Sequence, residues 1–188
     1  MESTPTHANQ EAINNGLIVG GISFVLGILI YYVSPGLMGS TFFGIAMMLV
    51  SLGLYIFFTL DLRKKVGGFW SFREALNGIF LMAFIAGLLA ALANFVFYKF
   101  IEPGAFDKIS TIVSESLYTT YEKLGMDEET IDKTLEKVME GMKSQFNPSF
   151  MDLLKTLGIG VIVQFIMSLI FAAIFKKEEP IFGGTTEE

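Results

Sequence analysis

Residues able to do chemistry are scarce in this chain. There is no cysteine, and the single histidine, His7, lies in a polar N-terminal stretch. Thiolate nucleophiles, disulfides, zinc sites of Cys and His, and triads with a histidine base are therefore excluded. Adjacent carboxylates occur at Glu128–Glu129 and Glu178–Glu179. Nothing near them in the chain supplies desolvation or a partner, so they read as charged helix faces rather than as an acid–base pair. No catalytic, cofactor or metal site is expected, and the chain is not expected to be an enzyme. A net charge of −6 argues against nucleic acid as a partner.

Two sets of polar residues remain. Arg63, Lys64, Lys65 and Arg73 cluster with Phe72 and Glu74 in one short segment. Basic groups beside a membrane span can hold phosphate headgroups, so this segment is a candidate site for lipid or partner binding. Arg73 could alternatively pair with a carboxylate such as Asp61. Ser71 and Glu74 have the spacing of a capping box, and Phe69, Trp70 and Phe72 suit an interfacial aromatic belt. The second set is neutral and sits inside apolar runs. Gly16, Gly20, Ser23 and Gly27 share a helix face, as do Ala83, Gly87, Ala91 and Asn94, and again Gly160, Gln164, Ser168 and Ala172. Small residues at this spacing let helix backbones approach, and Asn or Gln can bond across the contact. The plain reading is packing within the chain. The other is docking of a membrane or periplasmic protein, or of a second copy.

The elements that carry these residues are long and apolar. Hydrophobic residues make up 52% of the 188 and charged residues 17%. Mean hydropathy is +0.56. Four runs, at roughly 14–33, 38–60, 76–98 and 153–175, approach the ~20 residues a helix needs to cross the hydrocarbon core. Lipid offers no partner for exposed backbone groups, so the runs are read as transmembrane helices. A bundle of buried soluble helices would need polar faces that these runs lack. The first run is not a typical signal peptide, because residues 1–15 contain no Lys or Arg.

Topology follows from the basic residues. The loop after span 2 holds Arg63, Lys64, Lys65 and Arg73, whereas the Ser34-Pro35-Gly36 turn before span 2 holds none. Positive loops stay in the cytoplasm, which predicts both termini inside. Lys176 and Lys177 after span 4 agree. The expected organisation is a cytoplasmic tail over 1–13, spans 1–3 over 14–100, an extracytoplasmic segment over 101–152, span 4 over 153–175 and an acidic cytoplasmic tail over 176–188.

The segment 101–152 holds eleven acids against five lysines. Ile109, Ile112, Val113, Leu117, Tyr121 and Leu124 recur at helical spacing, and Ile131, Leu135, Val138, Met139, Met142 and Phe146 do the same. Gly125 can end the first helix and Asp127 can cap the second. Being acidic, these helices are expected to pack on each other or on a partner rather than on anionic lipid. The predicted fold is all-α: an integral membrane four-helix bundle with a two-helix acidic extracytoplasmic segment between spans 3 and 4.

Three elements carry a resemblance. Phe72-Arg73-Glu74-Ala75 precedes span 3, Phe100-Ile101-Glu102-Pro103 follows it, and Asn147-Pro148-Ser149-Phe150 leads into a Gly-rich span 4 that ends at Lys176-Lys177. Together they resemble an uncharacterised family of four-span inner-membrane proteins of Bacteroidota, a domain of unknown function, over nearly the whole chain. The Phe-Arg-Glu-Ala element is the most specific; Leu76 stands where the family pattern often has an aromatic. The resemblance implies a bacterial cytoplasmic membrane, no assigned activity, and proximity to polyprenyl-phosphate sugar chemistry.

The leading expectation is a non-enzymatic accessory or scaffold subunit of an inner-membrane assembly, in contact with membrane lipids and a protein partner or second copy. A lipid or polyprenyl-phosphate binding protein of envelope glycan metabolism is the alternative. A small-solute transporter ranks last, because no Asp, Glu, Lys, Arg or His lies in the middle of a span.

Overall fold

The computed structural model describes residues 5–179. Six α-helices follow one another: α1 Pro5–Val33, α2 Thr41–Lys65, α3 Phe72–Val96, α4 Ala105–Lys123, α5 Glu128–Phe146 and α6 Phe150–Phe175. A short 3₁₀ helix, Pro35–Gly39, joins α1 to α2, and a π-helical turn, Phe97–Ile101, extends α3. Helices α1, α2, α3 with its π turn, and α6 are each long and apolar enough to cross a membrane. The fold is all-α, and the protein is a multi-pass membrane protein. Every spanning helix overruns the apolar run within it, because a helix need not stop where hydrocarbon gives way to headgroups.

Local chemistry sets the helix ends. The Ser71 hydroxyl accepts from the Glu74 backbone N–H, while the Glu74 carboxylate accepts from the Ser71 N–H at 2.7 Å, forming a capping box. Ser149 and Asp152 repeat the arrangement at the start of α6. Arg63, Lys64 and Lys65 occupy the last turn of α2, where the helix dipole favours cations. Gly125, at φ +78°, turns the chain after α4, and the Met126 N–H reaches back to the Tyr121 carbonyl at 3.2 Å. Asp127 caps α5 by accepting from the Thr130 N–H at 2.9 Å.

Helix α3 is the centre of the bundle, with α1 along one side and α6 along another. Helix α2 packs on α1 and only briefly on α3. Gly16 and Gly20 let α1 come in close: a Cβ on Gly16 would lie 2.6 Å from the Met82 carbonyl oxygen. The apolar faces of α4 and α5 turn onto each other and onto the bundle. Ile109, Val113, Leu117 and Phe146 share one core with Tyr31, Phe97 and Tyr98. This end of the bundle is called the cap end. The other, which holds the α2–α3 loop, is the loop end.

Trp70 departs from the sequence reading. It is not an exposed interfacial anchor but a core residue, 4% exposed, packed with Leu62, Ala75 and Phe171. A backbone pair explains the difference. The Trp70 N–H donates to the Lys177 carbonyl at 2.8 Å, and the Lys177 N–H donates back at 3.1 Å, which turns the indole inward.

Candidate functional site

The last carbonyl of α6 has two side-chain donors. The Trp70 indole N–H gives a 2.8 Å bond to the Phe175 oxygen, and Arg63 Nη1 gives a 3.3 Å bond to the same atom. Both satisfy a helix-end carbonyl that has no partner within its own helix. Arg63 thereby ties α2 to α6, and Trp70 ties the α2–α3 loop to it. Farther into the membrane α2 and α6 separate over α3. A cleft of about 260 Å³ opens between them, lined by Met48, Ser51, Leu52 and Tyr55 of α2, Ile79 and Ala83 of α3, and Val163, Gln164, Met167 and Phe171 of α6.

Three polar side chains that line this cleft are unpartnered. The Ser51 and Tyr55 hydroxyls and the Gln164 amide make no hydrogen bond among the described residues. One turn along α2 from Tyr55, the Thr59 hydroxyl is fully buried and also without a partner. By contrast, Ser168 spends its hydroxyl on the Gln164 carbonyl at 2.7 Å. Water cannot satisfy such groups in hydrocarbon, and an orphaned donor costs ~1–3 kcal/mol. The Gln164 side chain lies directly against α3 at Gly87: a Cβ there would collide with its amide nitrogen. The glycine is what admits a polar side chain between the two helices.

The basic residues singled out in the sequence have divided roles. Lys65 pairs with Asp61 at 2.9 Å and Glu11 at 3.0 Å, and donates to the Asn15 side-chain oxygen at 3.0 Å. Asn15 is fully buried and donates to Asp61 at 3.0 Å and to the Phe58 carbonyl at 3.2 Å. Asp61 is thus held by Lys65 and Asn15, not by Arg73. Arg63 is committed to Phe175. The Lys64 and Arg73 side chains are exposed and make no bond among the described residues, and Phe72 is partly exposed. Glu74 is used as a cap. Among the small-residue positions, Gly16 and Gly20 meet α3 and Gly87 meets Gln164, whereas Gly27 and Gly160 face open space. Asn94 turns its amide back to its own helix, onto the Ala90 carbonyl at 2.8 Å.

At the cap end, Glu102 joins three elements. Its carboxylate accepts from Lys108 at 2.7 Å, from Tyr32 at 2.9 Å and from Tyr31 at 3.1 Å. The bond from Lys108, then that from Tyr32, hold the Glu102 carboxyl below the usual carboxylate range. The reciprocal bond raises Lys108. The π turn sets this up: the Glu102 N–H reaches the Phe97 carbonyl at 2.8 Å, so the carboxylate points toward α1 as the chain leaves α3.

A family model described as a protein of unknown function, DUF4199, matches residues 14–177. The chain belongs to the DUF4199 family. No curated protein and no solved structure matches it. In this DUF4199 protein the matched stretch takes in all of the cleft, Glu102 and the Trp70–Lys177 pair.

Several of these residues carry signals that the sequence reading did not use. Tyr55 is a phenol in the middle of an apolar run, where an orphan hydroxyl is expensive. Asn15 and Asp61 sit near the ends of two consecutive spans with Lys65 one turn beyond Asp61, a spacing that suits an ion pair. Glu102, read as part of an exit turn, is a carboxylate placed just after a span. Nothing in the sequence marks Tyr55 and Gln164 as neighbours, since that depends on how α2 and α6 flank α3.

Proposed function

We propose that this DUF4199 protein is a non-enzymatic accessory component of a bacterial inner membrane that binds a membrane-borne guest in the α2–α3–α6 cleft. Both termini and the α2–α3 loop lie on the cytoplasmic side, by the placement of Arg63, Lys64, Lys65 and Arg73. The observation that carries the reading is a mostly apolar cavity inside the span region with three unpartnered polar side chains, Ser51, Tyr55 and Gln164, on its wall. A pocket that is mostly apolar with a few convergent polar groups is the usual form of a small-molecule site. The test is capture of the tagged protein from native membranes in mild detergent, with mass spectrometry of proteins and lipids. A defined lipid retained by the wild type and lost from Gly87→Leu, which pushes Gln164 aside, is the expected result. A lipid retained equally by both proteins would exclude the cleft as its binding site.

A second reading is favoured by a different observation. Helix α2 is held along α1 and barely touches α3, so most of its apolar surface faces outward. That surface suits a partner span in an inner-membrane assembly, or a second copy. A stoichiometric protein in the same capture experiment, lost when Phe42 and Leu49 are changed to alanine, would select this reading. The basic segment is less suited to a phosphate headgroup, because Arg63 and Lys65 are already engaged.

A further inference from the structure

We infer that the α2–α3–α6 cleft binds an uncharged lipid through a hydroxyl or carbonyl group, which bonds to Tyr55 and Gln164 while its chain runs out into the bilayer. This rests on the cleft being a guest site at all.

Four observations support an uncharged lipid. First, no Asp, Glu, Lys, Arg or His lines the cavity, so a phosphate or ammonium would be buried with no counter-ion. Second, the loop end of the cleft is closed. Arg63 and Trp70 grip the Phe175 carbonyl there, and Phe171, one turn earlier on α6, forms the wall. The free cation Lys64 cannot lean over the cavity either. It stands nine residues beyond Tyr55, about two and a half helical turns, and so on the opposite side of α2. Access is therefore from the side, through the hydrocarbon, which selects against charged headgroups.

Third, the polar groups match a neutral oxygen. A tyrosine hydroxyl and a primary amide can each donate to a carbonyl, and each can also accept from a hydroxyl. Both line the same cavity, and both lack a partner among the described residues. Fourth, the volume excludes a helix. A helix with its side chains is about 10 Å across. A cavity of about 260 Å³ takes a headgroup-sized moiety and the start of a chain, not two turns of a partner span.

The test uses the full chain in nanodiscs with two photoactivatable probes carrying identical diazirine acyl chains. One probe is diacylglycerol, which presents a free hydroxyl and ester carbonyls; the other is phosphatidic acid. Labelled peptides are mapped by mass spectrometry. The expected result is diacylglycerol labelling of the α2 and α6 segments around Ser51–Tyr55 and Val163–Phe171, at least five-fold above phosphatidic acid. Labelling should fall at least five-fold in Tyr55→Phe/Gln164→Leu. It should fall similarly in Met48→Trp, which fills the cavity from an apolar lining position, so a folding defect in one variant does not decide the matter.

Equal labelling by phosphatidic acid would overturn the uncharged guest while leaving the cleft occupied. Labelling of these segments no stronger than that of the outward-facing Phe42 region would overturn the cleft as a guest site. Labelling that survives Tyr55→Phe/Gln164→Leu but not Met48→Trp would overturn recognition by the two polar groups.

Discussion

Gly20 stands so close to Ala86 that a Cβ added to the glycine would lie 2.8 Å from the Ala86 carbonyl oxygen and 3.1 Å from its Cα. The obstacle is backbone, which cannot swing aside as a side chain can. Gly20→Leu should therefore separate α1 from α3 and destabilise the protein by ~1–3 kcal/mol, the usual cost of overpacking. Thermal unfolding in detergent measures it. Gly27→Leu, on the same helix face with open space around it, is the control and should leave the midpoint unchanged.

Lys65→Met should destabilise more than Lys64→Met. The first leaves Asp61 and Glu11 as like charges without their shared cation and takes a bond from buried Asn15, a loss of about 1–2 kcal/mol. The second removes a solvated side chain that makes no bond, an effect within about 0.5 kcal/mol. Comparing the two unfolding midpoints is sufficient; equal shifts would contradict the assigned network.

The contrast between these lysines shows how far the sequence reaches. Four spans, two amphipathic helices and the stops at Ser71, Gly125 and Asp127 are legible because each depends on local hydropathy or a cap. Which lysine is bonded depends on where Asn15 and Glu11 arrive from, fifty residues away. Spacing likewise marks Gly20 and Gly27 as one face but not where the neighbouring helix stops. Trp70 reads as an interfacial anchor until its backbone pairs with Lys177, more than a hundred residues on. Tyr55 and Gln164 meet at one cavity only because α3 lies between their helices.

The single tryptophan gives a direct optical check of its burial. Trp70 emission should be blue-shifted and poorly quenched by iodide, since the ring is 4% exposed. Trp70→Phe should cost about 1 kcal/mol from the lost indole bond to Phe175, with a further packing loss. Emission typical of a water-exposed indole would show that the loop-end contacts do not form.

Acid should weaken the cap end through Glu102. Its carboxyl is held below the ordinary value of about 4.3, so its contribution is present above that value and is lost as pH falls through the lower folded-state value. Glu102→Gln keeps the shape but not the charge. It should flatten the pH dependence of the unfolding midpoint below about pH 4.3 while leaving the neutral-pH helix content intact. An unchanged acid slope in Glu102→Gln would remove Glu102 from that role.

Orientation can be tested with thiol reporters, because the chain has no cysteine of its own. Leu124→Cys at the tip of the α4–α5 hairpin and Lys64→Cys at the loop end should react with a membrane-impermeant maleimide from opposite sides. In intact spheroplasts Leu124→Cys should label at once and Lys64→Cys only after lysis.

The grip of Arg63 and Trp70 on the Phe175 carbonyl also bears on biogenesis. Helix α6 is the last of the four spans along the chain, and its far end is where the earlier loop waits. Before α6 arrives, the Trp70 indole and the Arg63 guanidinium have no Phe175 oxygen to bind, and the α3 face that receives Gln164 lies open to lipid. The latch therefore forms only once α6 has joined the three earlier spans, which makes it a signature of their assembly.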